Sequence, residues 1–61
     1  MIRGEFMYSF GKRIRQVRTQ AQISQVNLAK KIGVAKSSLS LYESDKREPS
    51  IQTIQKIARA L

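Results

Sequence analysis

Residues 24–48 read SQVNLAKKIGVAKSSLSLYESDKRE, and this stretch decides the fold. Leu28, Ala29 and Ile32 fall on one face of a helix with a 3.6-residue period, and Val26 lies at the margin of that face. Ser24 stands where an N-cap belongs. Lys30 and Lys31 come at the other end, where cations suit the helix dipole. Gly33 follows at a position that usually needs positive φ, so the spacing predicts a helix over residues 25–32 that stops there. A second helix is predicted from residue 35 or 36 to residue 44. Ala35, Leu39 and Tyr42 should face inward, with Val34 packing in the turn. Lys36, Ser37, Ser40, Leu41 and Ser44 then share the outer face.

That outer face is an unusual one. Its serines lower helix propensity and are poor choices for a surface helix selected only for stability. Small hydroxyl side chains do let a helix backbone approach DNA closely while donating and accepting hydrogen bonds. A plain solvated polar surface is the competing reading of the same residues.

The flanking segments support this unit. Residues 9–21 are predicted as a helix capped by Ser9, with Phe10, Ile14, Val17 and Ala21 on one face. Lys12, Arg13 and Arg15 lie on its other faces and read as a solvated surface. Arg18 sits at the edge of the apolar stripe, where an arginine either snorkels or meets an acid. Residues 45–49, DKREP, form a loop by composition. A last helix begins after Ser50 and carries Ile51, Ile54, Ile57 or Ala58, and Leu61 inward. No strand-like alternation and no repeat is present. The fold class expected is all-α, a compact bundle of four or five short helices around one core.

Two ends of the chain read differently from the middle. Residues 1–8, MIRGEFMY, show no helical period. They read as a disordered arm that could touch DNA, or as residues of cloning origin, because Glu5-Phe6 is what a common restriction site encodes. The domain proper is residues 9–61. The last residue, Leu61, is apolar and has no capping residue after it, which predicts that the whole protein continues.

Composition bounds the function. Twelve Lys or Arg face four acids among 61 residues, a net charge of +8 that favours a polyanionic partner. Solubility alone is the competing explanation of that charge. There is no cysteine and no histidine, so a disulfide, a thiolate metal site and the usual nucleophile–base pairs are excluded. No Gly-rich phosphate loop is visible. The expectation is no enzyme, no metal and no cofactor. No apolar run approaches the roughly 18 residues of a membrane span, and the cysteine count fits a reducing cytoplasm.

FGKRIRQVR and ISQVNLAKKIGVAKSSLSLYESDKREPSIQTIQKIARAL together resemble the lambda-repressor-like helix-turn-helix family, the Cro, phage repressor or XRE type. The likeness is greatest to Gram-positive regulators of the sporulation and biofilm repressor kind. It covers residues 9–61 and rests on coincident features: Ser24-Gln25, Leu28-Ala29, Gly33-Val34, Leu39, Glu43 and Pro49-Ser50.

The resemblance implies that the helix over residues 25–32 crosses the DNA backbone and that the next one enters the major groove. By position, Lys36, Ser37, Ser40 and Leu41 would face base edges, the lysine preferring guanine and Leu41 a thymine methyl or a sugar. Gln25, Lys46 and Arg47 would hold phosphates, with Ser44 beside them. Arg18 would pair with Glu43 inside the fold. The implied function is sequence-specific double-stranded DNA binding by a prokaryotic transcriptional regulator, a repressor, that is cytoplasmic and nucleoid-associated. An inverted-repeat operator and a homodimer follow from the family. The alternative is a protein-interaction module on the same fold, an antitoxin or the partner of an anti-repressor. A basic membrane-surface domain is a third and weaker reading, since the cations are spread over several helices. Three departures from the family stand out. Asp45 occupies a usual glycine position, so the loop there is expected to differ. Ala35 replaces a capping Ser or Thr. A fifth helix, which commonly completes the core, is absent.

Overall fold

The computed structural model describes residues 10–61. The expected arm at residues 1–8 and the expected cap at Ser9 lie outside the described residues. Four helices follow in order: α1 (Phe10–Gln20), α2 (Gln25–Ile32), α3 (Lys36–Glu43) and α4 (Ile51–Ala60). α3 packs against both α1 and α2, and α2 also packs against α4.

The caps explain most of the boundaries. Ser24 Oγ accepts from Asn27 N–H at 3.0 Å and starts α2. Ser50 Oγ accepts from Thr53 N–H at 3.1 Å and starts α4. Each satisfies one of the backbone donors that a helix N-terminus leaves without a partner. Ala35 occupies the N-cap position of α3 with extended backbone and makes no side-chain cap, a lack worth about 1 kcal/mol relative to Ser or Thr.

Three helices end on one pattern, in which a left-handed residue lets its own N–H group and the next one fold back. After α1 it is Gln22, φ 61°, with Gln22 N–H to Thr19 O at 3.0 Å and Ile23 N–H to Arg18 O at 3.1 Å. After α2 it is Gly33, φ 75°, with Gly33 N–H to Lys30 O at 3.3 Å and Val34 N–H to Ala29 O at 3.0 Å. After α3 it is Asp45, φ 61°, with Asp45 N–H to Tyr42 O at 3.1 Å and Lys46 N–H to Leu41 O at 3.0 Å. These are Schellman closures, and they satisfy carbonyls that the helix ends would otherwise strand.

The core is small. Ile14, Leu28, Ala29, Ile32, Leu39 and Ile57 are buried, with Ile23, Val34, Tyr42, Ala60 and Leu61 packed around them. Leu28, Ile32 and Leu39 have almost no exposure, and each side chain so buried contributes about 1.5–3 kcal/mol.

Helical spacing placed four other residues inward that the structure leaves outside. Ala35 is exposed because it precedes the first helical residue, so the period of α3 does not reach it. Ala21 is exposed because it follows the last residue of α1, where the chain is already turning. Ile51 is 74% exposed; it lies about 120° around α4 from the buried Ile57. Phe10 is 41% exposed at the very start of α1. Ala58 is also exposed, so Ile57 is the inward residue of that pair.

Candidate nucleic-acid interface

The outer face of α3 is polar and open. Lys36, Ser37, Ser40 and Ser44 are exposed and Leu41 is half-buried. Leu39 and Glu43 are buried along the adjoining side of the helix, Glu43 about 20° around the axis from Lys36 but about two turns further on, so the helix cannot rotate without exposing them. Ser44 Oγ lies 3.0 Å from Ser40 O and 3.3 Å from Leu41 O. Its single proton is therefore spent within α3, and its lone pairs remain to accept.

Arg18 and Glu43 meet beneath this face. Arg18 Nε donates to Glu43 Oε2 at 2.6 Å and Nη2 donates to Oε1 at 3.1 Å, a bidentate pair. Both side chains are largely shielded, 11% and 4% exposed. Arg18 Nη1 also donates to Ile23 O at 2.9 Å. The same arginine thus joins α1 to α3 and to the turn that leads into α2.

Gln25, the first residue of α2, is half-buried, and its Nε2 donates to Glu43 Oε1 at 3.0 Å. One amide proton is committed inward. The second amide proton and the carbonyl oxygen are what Gln25 has for a ligand.

Arg15, Gln25, Ser40 and Ser44 line one recess of about 390 Å³, with Arg18 and Glu43 as its floor. Gln25, Ser40 and Ser44 are thereby brought together. Lys36 is not among them: it lies at the other end of α3, about 10 Å along the helix axis from Glu43. Lys46 and Arg47 are exposed in the loop after α3, and Arg47 Nη1 makes a long contact of 3.5 Å with Ser38 Oγ.

Arg15, which helical spacing alone assigns to the solvated surface, belongs to this recess. It stands one turn before Arg18 on α1, and side chains three apart on a helix are neighbours. An arginine one turn from a buried arginine that reaches α3 must overhang the same junction, and that spacing was the available signal.

Charge alone does not locate the site. Lys30, Lys31, Lys56 and Arg59 line a second recess, where Lys30, Lys31 and Arg59 offset the negative C-terminal ends of α2 and α4. Among the described residues, no group of three His, Cys, Asp or Glu could hold a metal ion. No described helix is long and apolar enough to cross a membrane.

Residues 14–61 match the family model described as helix-turn-helix. The chain belongs to the helix-turn-helix family, and within it to the lambda-repressor-like, XRE type. The immunity repressor protein of Bacillus phage phi105 is 37% identical over 51 residues, which cover 84% of this chain and 35% of that protein. The HTH-type transcriptional regulator ImmR of Bacillus subtilis is 36% identical over 50 residues, 82% of this chain and 39% of the regulator. Antitoxin HigA1 of Mycobacterium tuberculosis is 40% identical over 45 residues, 74% of this chain and 30% of the antitoxin. This helix-turn-helix chain spans about a third of the length of these curated relatives.

Proposed function

We propose that this helix-turn-helix chain is the sequence-specific DNA-binding domain of a transcriptional repressor. The observation that carries the reading is the polarity of α3. Its inner side is anchored by Leu39 and Glu43, while Lys36, Ser37 and Ser40 stand exposed in one row with half-buried Leu41 beside them. The repressor and regulator names among its relatives support the same conclusion.

In this reading α3 lies in the major groove. Lys36 donates to guanine O6 or N7, and Ser37 and Ser40 read donors or acceptors on neighbouring bases. Leu41 touches a thymine methyl or a sugar. Lys46, Arg47 and the second Gln25 amide proton meet phosphates, and Arg15 joins them from the rim of the recess; Ser44, whose proton stays on the α3 carbonyls, would meet a phosphate only by turning that proton outward. Phosphate contacts set register and most of the affinity, while base contacts set sequence. Repression is steric: the bound domain occupies the operator. A homodimer would present two copies of α3 to an inverted repeat with half-sites about 34 Å apart. The setting is the cytoplasm, and no catalytic step is assigned to the chain.

The test separates the two kinds of contact. Lys36→Ala should relax base preference while keeping affinity for random duplex. Lys46→Ala should weaken all duplexes alike and reduce the log–log salt slope by about 0.9 for the phosphate lost. Equal losses for both variants on specific and random duplexes would overturn the assignment. The likeness to an antitoxin favours a second reading, in which the fold serves a protein partner. That reading predicts only motif-free, salt-labile DNA affinity.

A further inference from the structure

We infer that Asp45 is a positioning residue, which seats the loop carrying Lys46 and Arg47 on the N-terminus of α1. The inference rests on the DNA-binding reading and adds to it what holds the phosphate-facing loop in place.

The left-handed turn at Asp45 needs no carboxylate. The two hydrogen bonds that close α3 are backbone bonds, and glycine adopts this conformation with least strain. Asp45 does something that glycine could not. Its Oδ1 accepts from Gly11 N–H at 2.9 Å, across 34 residues of sequence. Gly11 lies in the first turn of α1, where backbone donors lack helical partners and the dipole favours an acid.

The fit at this joint is close. A Cβ at Gly11 would lie 2.3 Å from Tyr42 O and 2.7 Å from both Glu43 O and Asp45 Oδ1. Backbone therefore meets backbone, and the missing side chain at Gly11 is what lets α1 sit on the last turn of α3. Gly11 and Asp45 form two halves of one seat.

The loop cations leave directly from that seat. Lys46 is the next residue, with its N–H tied to Leu41 O at 3.0 Å, and Arg47 reaches back to Ser38 Oγ. A loop held in advance loses less freedom when it meets a phosphate backbone. Simple electrostatics predicts the opposite sign for Asp45. Removing an acid within a Debye length of phosphates should tighten DNA binding. The two accounts can therefore be told apart by direction.

The experiment compares Asp45→Gly and Asp45→Asn with the parent chain. The readouts are fluorescence anisotropy with a random-sequence duplex and with a selected operator duplex, plus amide exchange at Gly11. Asp45→Gly relieves the left-handed backbone and removes the anchor. It should weaken both duplexes equally, by about three- to tenfold, the size expected for ordering one long side chain during binding. Its Gly11 amide should exchange faster. Asp45→Asn keeps an oxygen acceptor without the charge and should stay within about twofold of the parent, since a neutral bond retains most of the anchoring. Binding by Asp45→Gly that equals or exceeds the parent's overturns the inference, as does an equal loss in Asp45→Asn. If the parent itself binds no duplex, the reading of the site fails and the inference falls with it.

Discussion

The turn after α2 and the turn after α3 close with the same two backbone hydrogen bonds and the same left-handed residue. One is Gly33 and the other is Asp45. A Cβ at Gly33 would meet nothing within 4 Å, so glycine is there for its conformation alone. At Asp45 the conformation is as demanding, yet the residue has a side chain, because that side chain has a partner in Gly11. Gly11 completes the contrast. It sits in ordinary helical backbone and is glycine only because there is no room for anything else. Conformation, space and a side-chain bond are separate reasons for a residue choice: the first acts alone at Gly33, the second at Gly11, and at Asp45 the bond is added to the conformation.

The largest effect is expected where the α3 side of this comparison is tied to the core. Glu43→Ala leaves Arg18 buried beside the core without its carboxylate and frees Gln25. It should destabilise the domain by about 3–5 kcal/mol, enough to unfold much of so small a domain at room temperature. Urea denaturation followed by circular dichroism would measure it. Gly11→Ala tests the crowded seat and should cost about 1–3 kcal/mol by forcing α1 away from α3. A near-neutral Gly11→Ala would mean that the seat is loose and would erase the contrast with Gly33. Gly33→Ala tests conformation without crowding and should cost about 1–2 kcal/mol, with no displacement of α2 or α3 in solution NMR. The smallest effect belongs to the third left-handed end. Gln22→Gly should raise stability by about 0.5–1 kcal/mol, the strain released less the chain entropy added.

Much of this architecture was legible in the sequence, and the legible parts share a local cause. Ser24, Gly33 and Ser50 mark helix ends through bonds to residues three or four away, so their neighbourhood suffices to read them. The outer row of Lys36, Ser37, Ser40 and Ser44 follows from spacing within one helix. The misplacements also have a local cause: Ala21 and Ala35 flank helices, where the 3.6-residue period no longer governs, and Ile51 heads one. The expected change in the loop at Asp45 proved to be a matter of contacts rather than of path, since the aspartate keeps the glycine-like turn. What spacing could not reveal is the joint between Gly11 and Asp45, because nothing nearby in sequence links them. The recess that unites Arg15 with Gln25, Ser40 and Ser44 is hidden for the same reason: it exists only once α1, α2 and α3 have packed.

The central claim is that α3 reads base sequence. Selection from a pool of random duplexes at roughly physiological salt, with the chain joined as a covalent dimer, tests it most directly, because tethering supplies the high local concentration that a dimer would. The account predicts an enriched inverted repeat whose base preference shifts when Lys36 is replaced by Ala. Binding without any enriched motif, lost uniformly as salt rises, would contradict it.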